Sequence, residues 1–259
     1  MTKKIKGAMR NGKAVNGCWI DVFSPLVAEI VANAGYDSVL IDLEHGPGGV
    51  LDAISIMQAV QAQDCAALLR VPANDPVWFK RVLDAGVDGV MVPAVNDVED
   101  AKAAVAACRY PPKGIRGMAA TVVRASRFGM DWQDYTARAA DELLIMCQVE
   151  SAQAVENVSA IADVEGLDML FIGPFDLSAS LGFLGQPDHE TVMAAIAKVE
   201  AAAKAAGKLL GGIPTPGRSA QALYDAGYHL VLADADVALL RDAACASVQG
   251  LRAAAGRSD

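Results

Sequence analysis

Eight short apolar runs, each followed by a helical pattern, constrain this chain more than any other feature. They are CWIDV (18–22), SVLIDL (38–43), AALLRV (66–71), GVMVPAV (89–95), LLIMCQV (143–149), MLFIGP (169–174), KLLGGI (208–213) and HLVLAD (229–234). Most are continuous rather than alternating, the pattern of strands buried on both faces in a parallel sheet. Helical patterns follow at 25–35, 50–63, 76–86, 98–109, 154–166, 190–207, 219–227 and 237–255, several of them closed by glycine as a helix C-cap is. Eight βα pairs predict one (β/α)8 TIM barrel across residues 1–259, with a doubly wound open sheet as the alternative. A length of 259 residues with 53% hydrophobic content suits one large domain of this kind.

One interval breaks the rhythm. The excursion at 110–142 is too long for an ordinary connection and carries Arg116, Arg124 and Arg127. Two readings stay open: a surface elaboration or subunit contact, or a lid or anion-binding segment over the barrel mouth.

The formal net charge of -9, with scattered basic residues, leaves no electropositive footprint for nucleic acid or anionic lipid, so a small-molecule partner is expected. Five cysteines, Cys18, Cys65, Cys108, Cys147 and Cys245, form no CxxC pair, which indicates a reducing cytoplasm. The basic opening MTKKIKGAMRNGK precedes no apolar signal region, and no apolar run nears the roughly 18 residues of a membrane span.

Catalytic groups of such barrels sit at the C-terminal ends of the strands. There the second run delivers Asp42, Glu44 and His45, the third Arg70, the fifth Gln148 and Glu150, and the sixth Asp176 after Gly173 and Pro174. Each has a plain alternative. Asp176 can cap a short helix, Glu150 can be a first-turn acid, and His45 can be a solvated loop residue. Arg70 ends a strongly apolar strand, where a guanidinium without a carboxylate partner would be costly.

Read together, Glu150 and Asp176 offer hard oxygen ligands suited to Mg2+ or Mn2+, and a lone histidine without a thiol pair disfavours zinc. A 2-oxo acid can chelate such a cation, which would act as a Lewis acid when a C3 proton leaves or a C3–C4 bond breaks. Arg70 would place a permanent positive charge beside the developing oxyanion, and His45, titrating near neutrality, would accept the proton. Other chemistries lack their residues. Lys80, Lys102, Lys113, Lys198 and Lys204 fall in helical or loop patterns and Lys208 starts a strand, so none is placed for a Schiff base. There is no GxSxG, no GxxxxGK[ST] and no strand followed by GxGxxG. GPGG (46–49) is read as letting the backbone pass close to a ligand.

IDLEHGP (41–47), RVPANDP (70–76), VPAVNDVEDA (92–101), RYPPKGIRG (109–117), QVES (148–151) and IGPFDLSASLG (172–182) resemble the HpcH/HpaI family of class II pyruvate aldolases, from about Asn16 to Leu251. The resemblance implies a barrel of the phosphoenolpyruvate/pyruvate-domain type that splits 4-hydroxy-2-oxo acids reversibly to pyruvate and an aldehyde. It assigns His45 as proton acceptor, Asp84 as the carboxylate that raises its basicity, and Arg70 as transition-state stabiliser. Glu150 and Asp176 match the metal ligands, while Gln148, the backbone at Phe175, and Asp176 match the substrate contacts. The family usually has alanine where this chain has Phe175, which puts the substrate range in question. The cofactor implied is Mg2+ or Mn2+, with Co2+ admissible, and no organic cofactor. A homohexamer, a trimer of dimers that exchange the last helix (237–255), is also implied.

Two rival readings remain within the same fold. One is a CoA-thioester lyase of the citrate lyase β-subunit or malyl-CoA lyase type, for whose nucleotide tail no dedicated basic site is visible. The other is a non-catalytic barrel that binds a 2-oxo acid.

Overall fold

The computed structural model describes residues 5–257. Eight parallel strands close on themselves in sequence order: β1 (Val15–Ile20), β2 (Ser38–Asp42), β3 (Ala66–Arg70), β4 (Gly89–Val92), β5 (Leu144–Val149), β6 (Met169–Ile172), β7 (Leu209–Gly212) and β8 (Leu230–Ala235). The expected barrel is present, and closure through β1–β8 pairing excludes the open-sheet alternative. The helices are α1 (Ile5–Arg10), α2 (Pro25–Asn33), α3 (Val50–Gln61), α4 (Pro76–Ala85), α5 (Val98–Cys108), α6 (Trp132–Glu142), α7 (Ala152–Glu156), α8 (Val158–Ala162), α9 (Pro174–Ser180), α10 (Glu190–Ala205), α11 (Ala220–Asp225) and α12 (Asp236–Ala254). The single helix expected at 154–166 is two short ones, because the chain breaks at Asn157, whose side-chain amide donates to the Asn96 carbonyl at 3.0 Å.

Strand side chains alternate between two cores. Val39, Ile41, Ala67, Leu69, Ile145 and Cys147 face outward to the helices. Leu40, Ala66, Leu68, Met91, Leu144, Met146, Met169 and Phe171 fill the barrel interior. This second layer explains why the runs read as continuously apolar.

The bottom of the barrel is closed by α1, which the sequence reading treated only as a basic opening. Ile5 and Met9 join the interior core. Lys6 is buried, pairing with Asp168 at 2.9 Å and donating to the Leu143 carbonyl at 3.0 Å. Asp168 also takes Arg10 at 2.7 Å and the Ile145 amide at 3.0 Å, so one carboxylate ties the plug to β5 and β6. Burial lowers the Lys6 pKa against the opposing pull of Asp168.

The excursion lies at this same end. It follows α5 and leads into the start of β5, and its Arg124 donates to the Ala85 carbonyl at the end of α4 at 2.8 Å. The excursion is therefore no lid over its own chain's mouth: it belongs to the opposite face, where αβ loops must run. The C-terminal helix α12 leaves the barrel. Among its described residues only Asp236 is buried, and Val237, Leu240, Val248 and Leu251 stand exposed. No described helix is long and apolar enough to cross a membrane. No disulfide joins the five cysteines, of which Cys245 is exposed and the others are buried.

Asp168→Ala should strand the buried Lys6 ammonium and the Ile145 amide together, lowering unfolding free energy by about 3–5 kcal/mol. Denaturant unfolding reads it; a loss below about 1 kcal/mol would show that the plug is not held by this carboxylate.

Candidate active site

The alternation that builds the inner core also builds the mouth. Each strand sends its last inward side chain one rung above the apolar layer: Asp42 follows Leu40 on β2, Arg70 follows Leu68 on β3, and Gln148 follows Met146 on β5. Two residues further on come Glu44 and Glu150. Polar groups can sit so deep because they satisfy one another.

Arg70, 6% exposed, is held on three sides. Its Nε and Nη2 donate to the two carboxylate oxygens of Asp42 at 2.8 and 2.6 Å, a bidentate fork that lysine could not make. Nη1 lies 2.9 Å from Glu44 and donates to Gln148 Oε1 at 3.4 Å, and the guanidinium carbon is 4.6 Å from the Trp19 ring centroid. Burial works to lower the Arg70 pKa, but the hydrogen bonds and charge of Asp42, with those of Glu44 and Glu150, outweigh it and raise it. Gln148 passes the chain onward, its amide donating to Glu150, whose other oxygen accepts the Ala94 amide at 2.7 Å. A Cβ on Gly173 would meet Gln148 Nε2 at 3.0 Å and Glu150 Cβ at 3.1 Å, so glycine there leaves room for this packing.

Around this belt is a cavity of about 280 Å3, lined by Trp19, Asp21, Asp42, His45, Arg70, Gln148, Phe171, Gly173, Phe175, Asp176 and Ile213. Five of the expected site residues thus line one hollow, and Glu150 joins them through Gln148. Glu150 is not a first-turn acid, since it precedes the Ser151 cap of α7, and Asp176 is not the N-cap of α9 but lies in its first turn. His45 is exposed on the rim.

Glu150 and Asp176 are the pair that suits a divalent cation. Burial raises the Glu150 pKa, the Ala94 amide opposes it, and the charges of Glu44 and Asp176 push it further up. Burial raises Glu44 likewise, against the pull of Arg70. Glu44, Glu150 and Asp176 lie within electrostatic reach of one another, and the Asp176 carboxyl has no protein donor among the described residues, so the group gains from a cation among them. Among the described residues no three His, Cys, Asp or Glu side chains gather as a complete ligand cage, so water and substrate oxygens would complete the shell, as Mg2+ and Mn2+ commonly allow.

Asp84 is not with the others. It lies near the end of α4 (Pro76–Ala85), roughly two helical turns and so ~12 Å below the mouth end of that helix, where its carboxylate pairs with Arg116 at 3.0 Å. The expected support of His45 by Asp84 is not made within one chain, because α4 carries that residue to the far end of the barrel. The glycines of the 46–49 turn are also explained differently: a Cβ on Gly46 or Gly48 would strike the Phe23 ring at 2.3 or 1.9 Å, so the close approach is to an internal side chain, not a ligand.

The profile of the HpcH/HpaI aldolase/citrate lyase family matches residues 16–243. The chain belongs to this family. Among HpcH/HpaI relatives, a pyruvate aldolase of Rhizobium etli is 44% identical over 236 residues, 91% of this chain and 92% of its own. A 4-hydroxy-2-oxo-heptane-1,7-dioate aldolase of Salmonella arizonae is 38% identical over 240 residues, 93% of this chain and 91% of its own. A crystal structure of an HpcH/HpaI aldolase/citrate lyase family protein from Burkholderia cenocepacia superposes with a TM-score of 0.91 at 39% identity, covering 97% of this chain and 100% of that one.

One residue of this HpcH/HpaI mouth escaped the sequence reading. Asp21 follows inward-facing Trp19 by two, so strand parity could have found it. Its amide is fixed by Asp236 at 2.9 Å, and among the described residues its carboxyl has no hydrogen-bond or ion-pair partner. Burial, with the charges of Asp42 and Asp236, pushes it up to about 6 against the pull of Arg70 and His45. The folded state therefore binds a proton more tightly than the unfolded chain, and stability falls as pH rises from about 4 to about 6. With its half-exposed carboxyl discounted for screening, Asp21→Asn should be more stable than wild type by about 1 kcal/mol at pH 8, the gain vanishing by about pH 4. Parallel unfolding curves at the two pH values check it; equal stability at both would show that the carboxyl is not strained.

Proposed function

We propose that this chain is a class II aldolase that reversibly cleaves a 4-hydroxy-2-oxo acid to pyruvate and an aldehyde. The observation that carries this reading is the convergence of Arg70, Gln148, Glu150 and Asp176 on a mouth whose rim holds His45. Glu150 and Asp176 would hold a divalent cation, Mg2+ or Mn2+, which would supply Lewis-acid stabilisation of the 2-oxo acid. Arg70, immobilised by Asp42, stands where negative charge grows on the C2 oxygen as the C3–C4 bond breaks. His45 accepts the C4 hydroxyl proton as the C3–C4 bond breaks and then gives a proton to C3 of the released enolate to form pyruvate, the same transfers running in reverse in addition. Gln148, the Phe175 backbone and Asp176 bind the 2-oxo acid, and Trp19, Phe171, Phe175 and Ile213 form the apolar part of the wall.

The CoA-thioester reading is less favoured. Arg70 is the one guanidinium lining the cavity among the described residues, and Asp42 and Glu44 already engage it. The exposed apolar residues of α12, with exposed Leu26 and Ile30 on α2, support a homohexamer of helix-exchanging dimers, and five cysteines joined by no disulfide favour a reducing cytoplasm. Asp84 could then support His45 only from a second copy. Light scattering should give six copies; a monomer would remove both assignments.

Pyruvate C3 deuterium exchange in Mn2+ is the direct test of the activity. Exchange is expected in the wild type, His45→Ala should slow aldol cleavage about 10²–10⁴-fold while still binding Mn2+, and Glu150→Ala should lose Mn2+ binding by calorimetry. A folded, Mn2+-loaded sample without exchange would favour the 2-oxo-acid-binding barrel instead.

A further inference from the structure

Asp21 is the mouth residue that the proposed mechanism leaves without a task. In a closed barrel of eight strands, β1 stands four places from β5, so Asp21 faces Glu150 and Asp176 from the opposite wall. The register pairs Trp19 with Leu40 and Ile20 with Ile41, which carries Asp21 alongside Asp42 and next to the loop that bears His45. The 2-oxo acid is held on the β5–β6 side and the proton acceptor stands on the β1–β2 side. The aldehyde must lie between them, its substituent turned toward Asp21 and Trp19.

Resting on the aldolase reading above, we propose that Asp21 is a specificity-determining residue that selects neutral, hydroxylated aldehydes and rejects aldehydes bearing a carboxylate. Three observations carry this. The Asp21 carboxyl is partnerless among the described residues, so its oxygens are available to accept hydrogen bonds from a substrate hydroxyl. The cavity offers a second carboxylate no free guanidinium, because Arg70, the one guanidinium lining it among the described residues, is committed to Asp42 at 2.6 and 2.8 Å and to Glu44 at 2.9 Å. With Arg70 set against Asp42 and Glu44, and Glu150 and Asp176 reserved for the cation, Asp21 is the carboxyl left without a counter-charge, and a carboxylate on the acceptor arm would meet it directly. The backbone of Asp21 is not free to swing away, since the buried Asp236 carboxylate holds the amides of both Asp21 and Val22 at 2.9 and 3.1 Å.

The experiment uses the full chain loaded with Mn2+, pyruvate as donor, and two acceptors, glycolaldehyde and succinic semialdehyde. The wild type should favour glycolaldehyde in kcat/KM by about tenfold or more. Asp21→Asn and Asp21→Ser should each reduce that preference by about tenfold, chiefly by raising kcat/KM for the semialdehyde. A wild-type preference for the semialdehyde, or a ratio unmoved in the folded variants, overturns the assignment; if neither variant folds, the wild-type ratio decides. Pyruvate C3 exchange without acceptor separates the two failures. Exchange with an unmoved ratio sinks the role of Asp21 alone, and absent exchange sinks the aldolase reading beneath it.

Discussion

The mouth depends on one guanidinium. Arg70 sits on the rung directly above the apolar interior, where an unpaired charge would not be tolerated, and its planar fork is matched by Asp42 with both carboxylate oxygens engaged. From that pair the hydrogen-bonded chain runs through Gln148 to Glu150 and ends on the Ala94 amide, so strands β2, β3 and β5 and the loop after β4 are fixed relative to one another. A hydrophobic trio could hold the same strands at least as well. Ion pairs placed here are explained by what they present to a ligand: a permanent positive charge and a carboxylate whose orientation is already set.

The two ends of the barrel divide the work. At the bottom, Asp168 gathers Lys6, Arg10 and the Ile145 amide and is saturated by protein partners, the arrangement of a structural clamp. At the top, the side-chain carboxyls of Asp21 and Asp176 have no hydrogen-bond partner among the described residues, and burial raises the pKa of Glu44 and Glu150. Groups left partly unsatisfied on a rigid frame are expected where a substrate or ion completes the set.

Much of this was legible from sequence because two periodicities are superposed in the strands. Continuous apolar runs gave the barrel, and the step from Leu40 to Asp42, from Leu68 to Arg70 and from Met146 to Gln148 put polar residues on the inward rung. Three things were not legible. Asp84 occupies a helix end, and sequence spacing does not say which end of the barrel a helical residue reaches. The excursion at 110–142 was placed over the mouth in one reading although it connects a helix to the next strand, a join that topology confines to the bottom. Asp21 sits at the end of CWIDV, an apolar run that does not itself distinguish its inward from its outward positions.

The central claim is that Glu150 and Asp176 share one cation beside Arg70. Anomalous diffraction from crystals soaked in Mn2+ and pyruvate measures this directly. The account predicts a single manganese peak in the mouth contacting both carboxylates, with pyruvate density between the ion and the Arg70 guanidinium. Manganese bound elsewhere, or the two carboxylates turned to separate sites, would contradict it.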